Sequence, residues 1–174
     1  AGNWDAATVL FIYWAQSIII GIFTVVTILG ADTGSISAAM NHSRTERGET
    51  GTVAPGRVRT QAWFLGVFFA VHYGIFHVAY YSFIVESGLF GVVNLSSPGI
   101  WYSCGLFFVN HLFSYVYYRN RLRQDENFMM DTFTGPYYRI IPMHFTIMFG
   151  AMVIIVLGII GITSTLPVLV LFLL

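Results

Sequence analysis

Four of the five histidines in this 174-residue chain fall inside long apolar runs: His72, His77, His111 and His144. An ionisable side chain at membrane depth is costly and as a rule faces a bundle interior, a cavity or a cofactor. Imidazole is also the side chain most often used to bind metals. On a rise of about 1.5 Å per residue, His72, His111 and His144 fall roughly 6–15 Å inside one interface, close enough to share a level. His77 lies about 7 Å beyond His72 on the same helix. Five residues also turn it about 140° away, so a shared site for the two needs a local bulge, which Gly74 would permit.

The metal reading is that His72, His111 and His144, from three helices, hold one ion, with His77 as a fourth ligand or a supporting group. Three neutral imidazoles suit Zn, Fe or Cu and leave a position open for water or substrate. A haem with two axial histidines is the weaker variant. The plain alternative is that each histidine hydrogen-bonds across helices to groups such as Tyr73, Asn110, Ser114, Tyr13 or Gln16. His42 stands in a polar segment and is expected to be solvated. Gln16 and Ser17 sit mid-run and are expected to face the bundle. Cys104, the single cysteine, excludes an internal disulfide and any Cys-rich metal site. There is no Gly-rich phosphate loop, Ser-His-Asp arrangement or His-Glu-x-x-His motif.

The elements that must carry these residues are transmembrane helices. Only 9% of residues are charged, too few to coat a water-facing shell, since a soluble domain uses about a quarter. A crossing helix needs roughly 20 apolar residues. The sequence therefore predicts an all-α polytopic bundle in a single domain spanning 1–174. Four full spans are expected at about 6–29, 62–85, 100–118 and 140–162, and the apolar tail at 166–174 reads as a partial fifth. No charged leader or cleavage pattern precedes the first run, which is expected to stay as an anchor. Pro142 is expected in the first turn of the last full span, where proline is tolerated. Uninterrupted apolar runs exclude a β-barrel, and the absence of an internal repeat argues against a two-halved transporter.

All eight basic residues are arginines. Arg44, Arg47, Arg57 and Arg59 lie in the polar segment 30–61, which reads as a flexible loop. Arg119, Arg121, Arg123 and Arg139 lie in or beside segment 119–139. Basic residues in short loops stay cytoplasmic, which puts the N-terminus outside and both loops inside, in a cell or inner membrane. A net charge of zero leaves no basic patch for nucleic acid.

Four stretches read together carry a resemblance: Tyr13-Trp14-Ala15-Gln16, His72-Tyr73-Gly74-Ile75-Phe76, Asn110-His111-Leu112-Phe113-Ser114 and Pro136 through His144. The chain resembles an uncharacterised family of small prokaryotic polytopic membrane proteins, known only as a domain of unknown function. The most specific pieces are His-Tyr-Gly-x-Phe and Pro-Tyr-x-Arg-Ile-x-x-x-His. Family members usually carry Glu where this chain has Gln16, which speaks against an acid–base role there. The resemblance implies His72, His111 and His144 as a set and supplies no activity.

Two functions compete on these residues. One is a metal-binding membrane protein, with oxidoreductase or hydrolase chemistry open to it. The other is an accessory subunit whose aromatic faces pack against other membrane subunits, in a complex binding pigments or quinones. A small channel or transporter is disfavoured by the scarcity of intramembrane charge.

Overall fold

The computed structural model describes residues 6–118 and 128–161, which form six α-helices. Helix α1 spans Ala6–Leu29 and α2 spans Thr33–Glu46. Helix α3 spans Pro55–Tyr81 and runs on into a π-helical turn, Ser82–Glu86. Helices α4, α5 and α6 follow at Pro98–Tyr118, Phe128–Thr134 and Tyr137–Ile159. This is a multi-pass membrane protein with lipid-facing apolar helices.

The expected four spans and partial fifth are corrected to three. Among the described residues, only Ala6–Leu29, Pro55–Glu86 and Ile140–Ile159 are long and apolar enough to cross a membrane. The run at 100–118 does form a helix. Its Asn110-His111 pair, Trp101 and four tyrosines keep its most apolar stretch below those of the other three. The tail at 166–174 lies outside the described residues, as do Arg119, Arg121 and Arg123.

The helix directions follow from what packs where. Val58 and Ala62 of α3 cluster with Ile28 at the end of α1. Tyr73 meets Ser17 at mid-helix, and Tyr80 and Ile84 join Ala6 and Leu10 at its start. Helix α3 is thus antiparallel to α1. Helix α4 begins with Ile100 in that same Ala6–Leu10 cluster, and farther along Phe108, His111 and Tyr115 surround Phe23. It therefore runs beside α1 in the same direction. Helix α6 begins with Ile140 against Phe69 and Tyr73 and reaches the first cluster at Ile147 and Ala151. The end of α4 and the start of α6 accordingly share one end of the bundle with α2.

Segment 30–61 is an ordered cap rather than a flexible loop. Asp32 accepts from the backbone N–H groups of Gly34 and Ser35, satisfying donors that the first turn of α2 leaves open. Asn41 clamps the return strand at two points: its Nδ2 donates to the Val53 carbonyl (3.1 Å) and its Oδ1 accepts from the Val53 N–H (2.7 Å). Ile36, Val53 and Val58 close a small core over Ile28 and Ala31. Pro55, at the first position of α3, needs no N–H there. Helix α3 thus starts seven residues before the predicted 62, and Arg57 and Arg59 belong to it. Helix α6 likewise starts at Tyr137, so Pro142 lies inside the helix rather than in its first turn, and Tyr138 loses its backbone partner.

Candidate ligand site in the groove between α1 and α3

The seam between α1 and α3 is set by small residues. Ser17 and Gly21 are four apart on α1; Ala62, Gly66, Ala70 and Gly74 recur every four on α3. This spacing lines small residues along one helix face and lets two backbones approach closely. A Cβ on Gly21 would lie 2.7 Å from Tyr73 Cε1, and one on Gly66 would lie 2.8 Å from Leu29 Cδ2. At Gly74 a Cβ would meet nothing within 4 Å. The inner part of the seam is filled and the outer part is open.

The open part is a groove of about 540 Å³. Its walls include Trp14, Ile18 and Ile22 from α1 and Ala70, Gly74 and Val78 from α3, and Tyr73 and His77 also line it. Ile22, Val26 and Val78 on its rim are exposed, so it opens toward the lipid side of two membrane-crossing helices.

His77 is the histidine of this groove, which Trp14, Tyr73 and Tyr81 also line, and it is 4% exposed. Its ring stacks on Tyr73 at 4.2 Å between centroids. Its Nδ1 lies 2.9 Å from the Tyr73 carbonyl oxygen, one helical turn back. A carbonyl only accepts, so Nδ1 carries the proton and donates. The other nitrogen, Nε2, is buried and has no hydrogen-bond partner. The Tyr73 hydroxyl contacts Ser17 Oγ at 2.8 Å and donates to the Ser17 carbonyl at 3.0 Å. The Trp14 indole N–H donates to the His77 carbonyl at 2.8 Å. Ring, hydroxyl and indole together fix the imidazole against α1.

The other histidines are dispersed. His72 is half-buried among rings, stacked on Phe68 (5.3 Å) and edge-on to Phe76 (5.1 Å), with Tyr137 at 6.0 Å. His111 stacks on Phe107 at 4.2 Å, with its Nδ1 3.2 Å from the Phe107 carbonyl, beside Phe23. His144 Nδ1 lies 3.1 Å from the Tyr80 hydroxyl. His42 is exposed and pairs with Glu46 at 3.6 Å. No group of three or more His, Cys, Asp or Glu side chains suited to a metal exists among the described residues. Helix α3 stays α-helical through Gly74, and its π turn comes only at Ser82, so His72 and His77 keep different faces.

Sequence reasoning kept His77 as a fourth ligand or supporting group, quoted Trp14 only within a family stretch, and did not single out Gly21 or Ala70. The signal was the four-residue recurrence of small side chains, which marks where α1 and α3 meet and thereby which histidine faces the seam.

The family model described as "Family of unknown function (DUF6498)" matches residues 1–174 of this chain. No curated protein and no solved structure matches it.

Proposed function

The chain belongs to that family of unknown function, and on this premise we propose that it is a membrane-embedded binding protein whose α1–α3 groove takes up a lipophilic molecule from the bilayer. The observation that carries this reading is the lipid-facing groove of about 540 Å³ between two membrane-crossing helices, with the buried His77 among its lining residues. Largely apolar clefts lined by a few polar groups, here Trp14, Tyr73, His77 and Tyr81, are where small lipophilic molecules bind. The intramembrane His site expected from the sequence thereby narrows to His77. A transition metal on Nε2 is the competing ligand, because a metal-bound histidine commonly donates its other N–H to a backbone carbonyl. The groove walls supply no second strong ligand and no cation for haem propionates, which favours an organic ligand. We read the arginine-bearing end of the bundle as cytoplasmic.

The test compares wild type with Gly74→Leu, chosen because Gly74 lines the groove and a Cβ there meets nothing within 4 Å. Both are purified in mild detergent, and bound organic molecules and metals are quantified by mass spectrometry. A stoichiometric lipophile in wild type that is largely lost from Gly74→Leu is the expected result. Equal retention by both overturns the reading. So does a transition metal held in its place, or a stable dimer of wild type with the groove covered by a second copy.

A further inference from the structure

We infer that the first turns of α3 bind an anionic phospholipid, its phosphate held by Arg59 and Trp63 and its chains lying along the exposed aliphatic side chains that follow. The site uses none of the residues that line the α1–α3 groove.

Its depth follows from helix length. The crossing helix Pro55–Glu86 has 32 residues, which makes it about 48 Å long, against a hydrocarbon core of about 30 Å. With the excess shared between its ends, roughly its first six residues stand in the headgroup layer. Arg57 and Arg59 then lie among headgroups. The exposed Trp63 and Phe64 lie at the edge of the hydrocarbon, where indole rings concentrate.

Charge complementarity sets the headgroup. Arg44 and Arg47 both pair with Glu49, at 3.4 and 2.9 Å, and Glu46 lies 3.6 Å from His42. Arg57 and Arg59 are exposed and, among the described residues, form no ion pair. Residues 55–66 include no Asp or Glu to receive the ammonium of a zwitterionic headgroup, so a net negative one is the better complement. The helix end itself offers little: Pro55 has no N–H, and those of Arg57 and Val58 go to the Ala54 carbonyl. Side chains must therefore hold the anion.

Of the two arginines, Arg59 has a second donor beside it. Residues four apart are neighbours on a helix surface, whereas residues two apart lie on opposite sides. Arg59 thus shares a face with Trp63, and Arg57 does not. The Trp14 and Trp101 indoles donate to the His77 and Leu95 carbonyls, each at 2.8 Å. The Trp63 indole donates to no group among the described residues and is 55% exposed. Side chains lean toward the helix N-terminus, which brings this indole back toward the Arg59 turn. A guanidinium fork and an indole N–H are then two donors for one acceptor-rich phosphate. The same four-residue row continues through Val67, Val71 and Ile75, all exposed, as an acyl chain requires. That amphiphilic row commits the site to a lipid rather than to free phosphate.

The experiment titrates the full chain in mild detergent with phosphatidylglycerol and, separately, with phosphatidylcholine of the same acyl chains, and counts retained lipid by native mass spectrometry. Wild type should retain phosphatidylglycerol at about fivefold lower concentration, the effect of one guanidinium beside an anionic headgroup. Arg59→Gln should bring the two lipids to parity. Arg57→Gln, on the far side of the helix, should keep the preference, as should Gly74→Leu in the groove. Equal retention of both lipids by wild type overturns the site. Equal losses from Arg57→Gln and Arg59→Gln overturn it too, since only a diffuse basic end would remain. Loss of the preference in Gly74→Leu would move the headgroup to the groove and overturn the placement. Displacement of phosphatidylglycerol by inorganic phosphate at the same concentration would overturn the lipid in favour of the free anion. The two-lipid comparison on wild type stands whether or not the variants fold.

Discussion

Helix α3 turns two unlike sides to its neighbours, and histidines fare differently on each. Toward α1 it presents the buried Ala62 and Gly66 and then Tyr73 and His77, whose Nε2 is buried without a hydrogen-bond partner, while Ala70 and Gly74 line the open groove. Toward α5 and α6 it presents rings. Phe68 and Phe69 meet Phe133, Phe69 also meets Tyr137, and Tyr80 engages His144. On that side His72 stands among rings and His144 meets the Tyr80 hydroxyl, whereas the partners of His77 lie within its own helix. The contrast shows that burial alone does not make an intramembrane histidine a site. What distinguishes His77 is that small residues leave space beside it while its own helix has already fixed its tautomer.

The largest effect that would break this contrast is expected from Gly21→Leu. Its Cβ collides with the Tyr73 ring at 2.7 Å. That ring cannot swing aside, because Phe69 stacks on it at 4.6 Å, His77 at 4.2 Å, and Ser17 holds its hydroxyl. Overpacking of this kind costs about 1–3 kcal/mol. Unfolding in a denaturing-detergent titration should shift accordingly, and an unchanged midpoint would mean that the seam is looser than its geometry implies. A Gly66→Leu variant should suffer less from the first contact, since Leu29 Cδ2 is the end of a flexible side chain.

Gly74→Ala tests the open part of the seam and should act with the opposite sign. Nothing lies within 4 Å of the added Cβ, and replacing a mid-helix glycine by alanine gains about 0.5–1 kcal/mol. The same titration should show a modest stabilisation. A loss of stability would mean that the groove is closed in the membrane.

On the ring side, Tyr80→Phe removes the hydroxyl that meets His144 Nδ1. Side-chain hydrogen bonds between membrane helices are worth about 0.6 kcal/mol on average. The variant should be destabilised by that amount and should retain the groove ligand fully. Loss of ligand together with stability would tie the two sides of α3 into one site.

Much of this architecture was legible before any coordinates. The apolar run at about 6–29 is a helix, α1, over its described residues Ala6–Leu29, because nothing polar enough to break a helix interrupts it. The segment after it reads as a loop because α2 is polar, and its order comes from single clamps such as Asn41 on Val53 that have no periodicity. The third run was read as a span on its length, while Asn110, His111 and its tyrosines keep it less apolar than the others. The site was half legible. A shared depth suggested grouping His72, His111 and His144, but depth says nothing of direction around a helix axis. Only the packing partner, dictated by Ser17, Gly21 and the small residues of α3, reveals which histidine faces a neighbour and which faces rings.

The smallest expected effect belongs to His72→Phe, and it sharpens the comparison because it concerns the histidine most prominent in the sequence. His72 lies between Phe68 and Phe76 with Tyr137 beyond, so its ring works as one more aromatic in a row. Phenylalanine preserves that stacking and adds no polar atom to satisfy. Stability should stay within about 0.5 kcal/mol of wild type, and ligand and metal content should be unchanged. If His72 instead served a site with His111 and His144, the substitution would lower metal content in proportion to occupancy. It would do so without touching the α1–α3 groove, where Gly74→Leu would then leave metal content intact. The two variants, measured side by side, assign the polar chemistry to one side of α3 or the other.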